Sequence, residues 1–142
     1  MAAYVRLEPF FQEAETDVKN GRFGSAIRLY RRILESVNPD DFTSMRGLAV
    51  CLLENKSHKY GEIIGLLQRV CRDQGIEREK NKGRILTEKE KDWEAENWLL
   101  LARACVLGRQ WDLALSALRS AFKAAPTALV KRGLECFVSF FE

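Results

Sequence analysis

The sequence has few of the residues that carry chemistry at enzyme and metal sites. It contains one histidine, His58, and four cysteines, Cys51, Cys71, Cys105 and Cys136, none of which belongs to a C-x2-C pair. Zinc sites and cysteine nucleophiles need such side chains close together. A Gly-rich phosphate-binding loop and a G-x-S-x-G motif are also absent. We therefore expect no metal, no cofactor and no catalytic activity, and we interpret the cysteines as buried apolar residues.

A strong charge excess and a long apolar run are lacking as well. The 23 basic and 20 acidic residues give a formal charge of +3, which is much smaller than the basic excess of a dedicated nucleic-acid binder. No apolar run is long enough to span a membrane, and the first residues do not resemble a secretory signal. The sequence therefore predicts a cytoplasmic protein, with the nucleus as the alternative location, and disfavours nucleic acids and membranes as partners.

Residues 96–126 carry the clearest pattern in the chain. Their apolar side chains recur at steps of three and four, which predicts two amphipathic helices folded back on each other around a Gly-containing turn. Small residues such as Ala102 and Ala114 allow the two helices to approach closely. We expect Trp98 and Trp111 to pack beside this contact.

The pattern of the second helix of this hairpin occurs three times. The residues at matching offsets are Phe23, Ala26, Tyr30 and Ile33; Tyr60, Ile63, Leu67 and Val70; and Trp111, Ala114, Leu118 and Ala121. An internal repeat is harder to obtain by chance than one match, so the chain is predicted to contain three helical hairpins. We expect the first helix to begin near Glu8 and the fourth to end near Arg72.

The spacing resembles the tetratricopeptide repeat (TPR), whose pattern of about 34 residues contains W-x2-L-G-x2-Y, A-x3-F and P. The corresponding residues here are Trp98, Leu101, Ala102, Cys105, Ala114, Leu118, Ala121 and Pro126. Cys105 and Leu118 depart from the aromatic preference of the family but are still apolar. The resemblance implies an all-α fold, with a right-handed superhelix of three TPR-like helical hairpins plus a C-terminal capping helix.

We interpret residues 1–142 as a single TPR-like domain. The predicted parts are repeats at about 7–39, 40–73 and 95–128, a charged insertion at about 74–92, and a terminal helix at about 127–142. Thr87 and Glu90 have the spacing of a capping box. The first helix of the third repeat is therefore expected to begin near Thr87 and to extend beyond its neighbour, after a mobile loop over residues 74–86.

For function, the resemblance implies a groove that is lined by the first helix of each repeat and holds a peptide. The best-known TPR subset grips a C-terminal carboxylate with Lys, Asn and Arg side chains. Those positions fall near Phe11, Glu15, Met45, Glu96 and Leu100, and none of them matches. The helical register instead gives a groove lined by Phe11, Glu15, Lys19, Ser44, Leu48, Glu96, Leu99 and Arg103. This mixed lining suits an amphipathic helix or an extended segment with apolar anchors.

The sequence thus predicts a non-enzymatic adaptor or scaffold whose partner is another protein, bound as a peptide or an amphipathic helix. One alternative is an RNA-associated helical-repeat protein that uses the basic residues between Arg78 and Arg84 together with Arg28, Arg31 and Arg32. The other is a homo-oligomerisation module, in which the Phe-rich terminal helix forms a homodimer. In the terminal helix, the expected partner or dimer contacts are Phe137, Phe140 and Phe141.

Overall fold

Residues 2–125 form six helices and no strand. The computed structural model describes the backbone of these residues and the side chains of residues 9–125. The helices are α1 (Ala2–Lys19), α2 (Phe23–Ser36), α3 (Phe42–Glu54), α4 (Tyr60–Lys80), α5 (Glu88–Leu107) and α6 (Trp111–Ala124). The predicted all-α helical-repeat class is confirmed.

The chain divides into two compact units between α3 and α4. The first unit is Met1–Lys59 and the second is Tyr60–Glu142. In the first unit α2 packs against both α1 and α3, and in the second α5 packs against both α4 and α6. Within residues 2–125, each unit thus contributes three consecutive helices, of which the middle one in space packs against the other two.

Two helices differ in length from the prediction. Helix α1 begins at Ala2 instead of near Glu8, so Pro9 lies inside it, where the missing N–H removes a backbone hydrogen bond without ending the helix. Helix α4 continues to Lys80 instead of ending near Arg72. The predicted mobile loop over residues 74–86 is therefore wrong for residues 74–80, which are helical because contacts with α5, described below, hold them.

The helices α1, α3 and α5 end in the same type of turn. After each of them one residue adopts a left-handed conformation, and these residues are Gly21, Lys56 and Arg109, with φ of 74°, 54° and 59°. The next backbone amide then donates to the carbonyl five residues back, at 2.7 Å in Arg22, 2.9 Å in Ser57 and 2.7 Å in Gln110. This is the Schellman arrangement of a helix C-terminus. Its recurrence supports the internal repeat at the level of the backbone.

In the first unit, a glycine allows an aromatic ring to enter the core. Tyr30 of α2 is buried. A Cβ atom placed on Gly47 of α3 would lie only 2.5 Å from Tyr30 Cζ, which is far inside the normal contact distance. The glycine is therefore required at this position for α2 and α3 to pack as they do.

In the second unit, α5 and α6 meet along small side chains. The buried alanines of these helices are Ala95, Ala102, Ala104, Ala114, Ala117, Ala121 and Ala124. Trp98 packs against the part of this seam formed by Ala95 and Ala121, as expected. Trp111 was also expected to pack beside this contact, but it is 44% exposed and therefore only partly covered. It lies on a different side of α6 from the alanines, because α6 meets α5 through its small side chains.

The cysteines of the described part are core residues. Cys51, Cys71 and Cys105 are buried free thiols, which confirms their interpretation as apolar residues, while Cys136 lies outside the described residues. Burial raises the pKa of Cys51 and Cys105 to about 11 and that of Cys71 to about 12. These thiols are therefore protonated at neutral pH and poor nucleophiles.

We predict that Gly47→Ala destabilises the protein by about 1–3 kcal/mol, because the added methyl group overpacks the Tyr30 ring. Gly65→Ala is the matched control, since a Cβ atom at Gly65 in α4 meets no other atom within 4 Å. The control should raise stability by up to about 1 kcal/mol through the higher helix propensity of alanine. Urea unfolding followed by circular dichroism measures both effects. Equal stabilisation by the two substitutions would contradict the tight contact at Gly47.

Candidate protein-binding surface

The predicted groove residues of α1 lie at the surface of the first unit. The Phe11 ring is partly buried and meets Tyr30 edge-on, with ring centroids 6.5 Å apart. Glu15 and Lys19 are exposed one and two turns further along the helix. This side of α1 therefore presents part of an aromatic ring and two charges of opposite sign.

The predicted groove residues of α3 are not accessible. Ser44 is fully buried, and its hydroxyl donates a hydrogen bond of 2.6 Å to Asp41 Oδ2. Leu48 is also buried in the core. Because α3 is buried on most of its sides, helical register alone did not separate its groove side from its core side. Neither residue contributes to the surface proposed below.

Helix α5 presents a mixed surface, which we call the α5 face and define as Glu96, Leu99, Leu100 and Arg103. Arg103 is exposed and the other three are partly exposed. The opposite side of the helix is buried in the core through Leu101, Ala102 and Cys105, among others. Leu100 was missed as a binding residue in the sequence analysis, although it follows Glu96 by one turn. The α5 face therefore places apolar and charged side chains next to each other on one packed helix.

The end of α4 and the beginning of α5 form an extended hairpin, which we call the arm and define as residues 74–94. Helices α4 and α5 have 21 and 20 residues, compared with 13 or 14 in α2, α3 and α6. The predicted capping box is confirmed: Thr87 Oγ1 accepts from the Glu90 amide at 3.1 Å, and Thr87 N donates to Glu90 Oε1 at 3.4 Å. It fixes where α5 begins.

Polar contacts tie the two helices of the arm together. The side chain of Asn97 is only 2% exposed, and its Nδ2 donates to Gln74 Oε1 at 3.0 Å. Gln74 Nε2 in turn donates to the Glu94 carbonyl at 3.4 Å, and Arg78 Nη1 lies 3.2 Å from Glu94 Oε2. Since Gln74 and Arg78 belong to α4, these contacts explain why its helix continues beyond the predicted end.

Four of the basic residues considered for RNA binding have internal contacts. Arg78 pairs with Glu94, Lys80 with Glu77 and Arg84 with Glu90. In the first unit, the Arg32 guanidinium lies over the Phe10 ring, 5.3 Å from its centroid. Phosphate binding depends on positive charge that is available to the backbone of the nucleic acid. These contacts therefore reduce the positive charge that the four residues offer to a phosphate backbone.

Two further properties concern only the part of the chain that the structure describes. Between residues 2 and 125, no helix combines the length and the apolar character needed to cross a membrane. Over the same part, no group of three or more His, Cys, Asp or Glu side chains is placed to hold a metal ion.

The expected contacts Phe137, Phe140 and Phe141 lie outside the described residues, so their role stays a prediction. In the last described helix, α6, one side carries Trp111, Leu115 and Phe122, each close to half exposed. Their spacing places them together on a helix. This apolar side was not predicted from the sequence, because Trp111 was expected to pack beside the contact of α6 with α5.

Comparison with known proteins gives three findings. Residues 11–59 match the family model described as tetratricopeptide repeat. No curated protein matches the chain by sequence. Among solved structures, the chain is similar to the TPR domain of Sgt2 from Aspergillus fumigatus, with a TM-score of 0.69 and 16% identity over 96% of this chain and 79% of that one. It is also similar to the N-terminal domain of stress-induced protein-1 (STI-1) from C. elegans, with a TM-score of 0.68 and 15% identity over 95% of this chain and 97% of that one.

We predict that Asn97→Ala weakens the arm, because it leaves the Gln74 side chain without its buried partner. The expected loss of stability is about 1–3 kcal/mol. In hydrogen exchange followed by mass spectrometry, residues 74–80 should exchange faster than in the wild type. Gln12→Ala, an exposed substitution on α1, is the control and should change neither quantity. Unchanged protection of residues 74–80 in Asn97→Ala would show that the arm does not depend on this contact.

Proposed function

We propose that this chain, a tetratricopeptide-repeat protein, is a non-enzymatic adaptor that binds a peptide or an amphipathic helix of another protein. The match over residues 11–59 and the two structural neighbours support a repeat fold that serves protein–protein interaction. The α5 face is the proposed contact surface. The observation that carries this assignment is the side-by-side exposure of Leu99 and Leu100 with Glu96 and Arg103.

The chemistry of the α5 face fits an amphipathic partner. Apolar side chains at helical spacing can receive the apolar anchors of a bound helix or extended segment. Charges beside them favour one orientation and one register of the partner, and they add more to specificity than to affinity. Leu99 packs against the alanine cluster of α5 and α6, and this contact restricts its side chain before a partner binds. A partner would therefore meet a surface whose shape is set in advance, which lowers the entropy lost on binding.

In the first unit, the accessible side of α1 is the corresponding candidate surface. Phe11 supplies an aromatic contact that Tyr30 holds in place, and Glu15 and Lys19 supply charges. This combination resembles that of the α5 face in type, although it contains less apolar surface. We propose it as a second contact for the same class of partner.

The proposal places the chain among binding proteins rather than enzymes. Cys51, Cys71 and Cys105 have raised pKa values because they are buried, so they are unsuited to nucleophilic chemistry. Buried free thiols also fit a reducing compartment, and we propose the cytoplasm on this ground.

Photocrosslinking tests the proposal directly. We expect benzoylphenylalanine in place of Leu100, introduced into the chain in cells, to crosslink to one continuous segment of another protein, because Leu100 lies within the proposed contact. Mass spectrometry identifies the segment, which should carry apolar residues at steps of three and four. Adding Arg103→Glu should weaken the crosslink, since it reverses a charge next to the contact.

The same label in place of Arg119, which is exposed on α6, serves as the matched control and should not capture that segment. Capture of the segment from both positions would show that the contact is not specific to the α5 face. Crosslinks from position 100 to RNA would favour the RNA alternative, and crosslinks to a second copy of the chain would favour self-assembly. Either result would overturn the adaptor proposal.

A further inference from the structure

The arm carries apolar surface that its own fold leaves uncovered. Ile85 is 90% exposed and Trp93 is 51% exposed. Both line an open depression of about 1040 Å³ between the end of α4, the connecting loop and the beginning of α5. Single exposed apolar residues are common on protein surfaces, but here two large ones line the same depression. Covering them would remove this apolar surface from water, which favours binding.

The wall of the depression is ordered by local hydrogen bonds. In the loop, Asn81 Nδ2 donates to the Glu77 carbonyl at 2.8 Å, and the Arg84 amide donates to the Asn81 carbonyl at 3.0 Å. The capping box of Thr87 and Glu90 holds the other side. A ligand would therefore enter a surface that is already formed, and little ordering entropy would be lost on binding.

The charges that line the depression are unequal in number. Its lining contains seven carboxylate and five basic side chains, which gives a formal charge of −2. Three of the basic side chains are matched by ion pairs within the arm: Arg78 with Glu94, Arg84 with Glu90 and Lys91 with Glu88. Among the lining carboxylates, Glu77 is also paired, with Lys80 from outside the lining. The lining still has more carboxylates than basic groups, so it favours a positively charged ligand.

Asp92 and Asp73 are two lining carboxylates whose surroundings favour a positive charge nearby. Asp92 Oδ1 is buried and accepts no hydrogen bond from the described residues, although a buried acceptor without a donor is costly. Burial and then the neighbouring Glu77 raise the pKa of Asp73. Because Asp92 Oδ1 is buried, a cationic side chain in the depression would act on Asp92 through the charge of its carboxylate. It would also offset the repulsion between Asp73 and Glu77, which Lys80 already offsets in part.

We propose that the arm depression binds a short segment of another protein in which a lysine or arginine side chain stands beside an apolar one. The cation lies near Asp92 and Asp73, and the apolar side chain covers Ile85 and Trp93. The lining shares Glu96 with the α5 face, but the residues that carry this proposal, Asp73, Ile85, Asp92 and Trp93, do not belong to that face, so either proposal can fail without the other.

Nuclear magnetic resonance gives a readout that is specific for the site. The chain contains three tryptophans, Trp93, Trp98 and Trp111, and Trp93→Phe identifies the Trp93 indole signal. Titration with a peptide of alternating lysine and leucine should shift this signal and leave the other two in place. A peptide of alternating glutamate and leucine, and one of alternating lysine and serine, should each bind about tenfold more weakly, a loss of about 1.4 kcal/mol.

Amino-acid substitutions test the charged part and the apolar part of the site separately. Asp73→Asn together with Asp92→Asn should weaken the lysine–leucine peptide about tenfold, and Ile85→Ser should do the same. Glu35→Gln, an exposed substitution on α2, should have no effect. Unchanged Trp98 and Trp111 signals show that each variant is folded.

Equal binding of the glutamate–leucine peptide, or a shift of the Trp93 signal by oligouridylate RNA, would overturn the proposal. So would a shift that depends only on protein concentration, because a second copy would then be the occupant.

Discussion

Close approach of helices at small residues is the constraint on which this structure depends. Helices pack at short distances only where one side chain leaves room for the other, and the chain meets this condition in each unit with different residues. In the first unit Gly47 leaves space for the Tyr30 ring, and in the second α5 and α6 meet along buried alanines. A larger residue at one of these positions would push the two helices apart and weaken the other contacts between them.

The surface available for function follows from this packing. Because the small side chains of α6 face α5, the larger ones at Trp111, Leu115 and Phe122 stand on another side of the helix. On α5, the residues opposite the core include Leu100 and Arg103, which carry the proposed adaptor contact. The arm adds a surface of a different kind, held by the hydrogen bonds of Asn97 and Gln74 and by the ion pair of Arg78 with Glu94. Binding in this protein is thus proposed on surfaces that the helix contacts themselves position.

Much of the fold could be predicted from sequence, because its determinants are local. The apolar spacing of α5 and α6 identified Leu101, Cys105, Ala114 and Ala121 as core residues, and all four are buried. The capping box at Thr87 located the start of α5 because its two residues are three positions apart.

The errors arose where tertiary contacts decide. The last turns of α4 are charged and have no apolar periodicity that would predict a helix. They are helical because they contact Asn97 and Glu94 of α5. Register could not show that Ser44 and Leu48 are covered, because α3 is buried on most of its sides. Trp111 was expected from its helical spacing to pack beside the contact of α5 with α6, yet it is 44% exposed. On the α5 face, Glu96, Leu99 and Arg103 could be predicted from their helical spacing. The depression in the arm could not be predicted, because it is formed by two helices and a loop.

The most direct test of this account is the unfolding free energy of a chain in which one seam alanine is enlarged. Ala121 is fully buried and belongs to the cluster with Ala95, whereas Ser116 on the same helix is exposed. The account predicts that Ala121→Leu lowers the free energy of unfolding by about 1–3 kcal/mol through overpacking, and that Ser116→Leu changes it by no more than about 0.5 kcal/mol. An Ala121→Leu chain as stable as the wild type would contradict the account, because it would show that the two helices do not need a small residue where they meet.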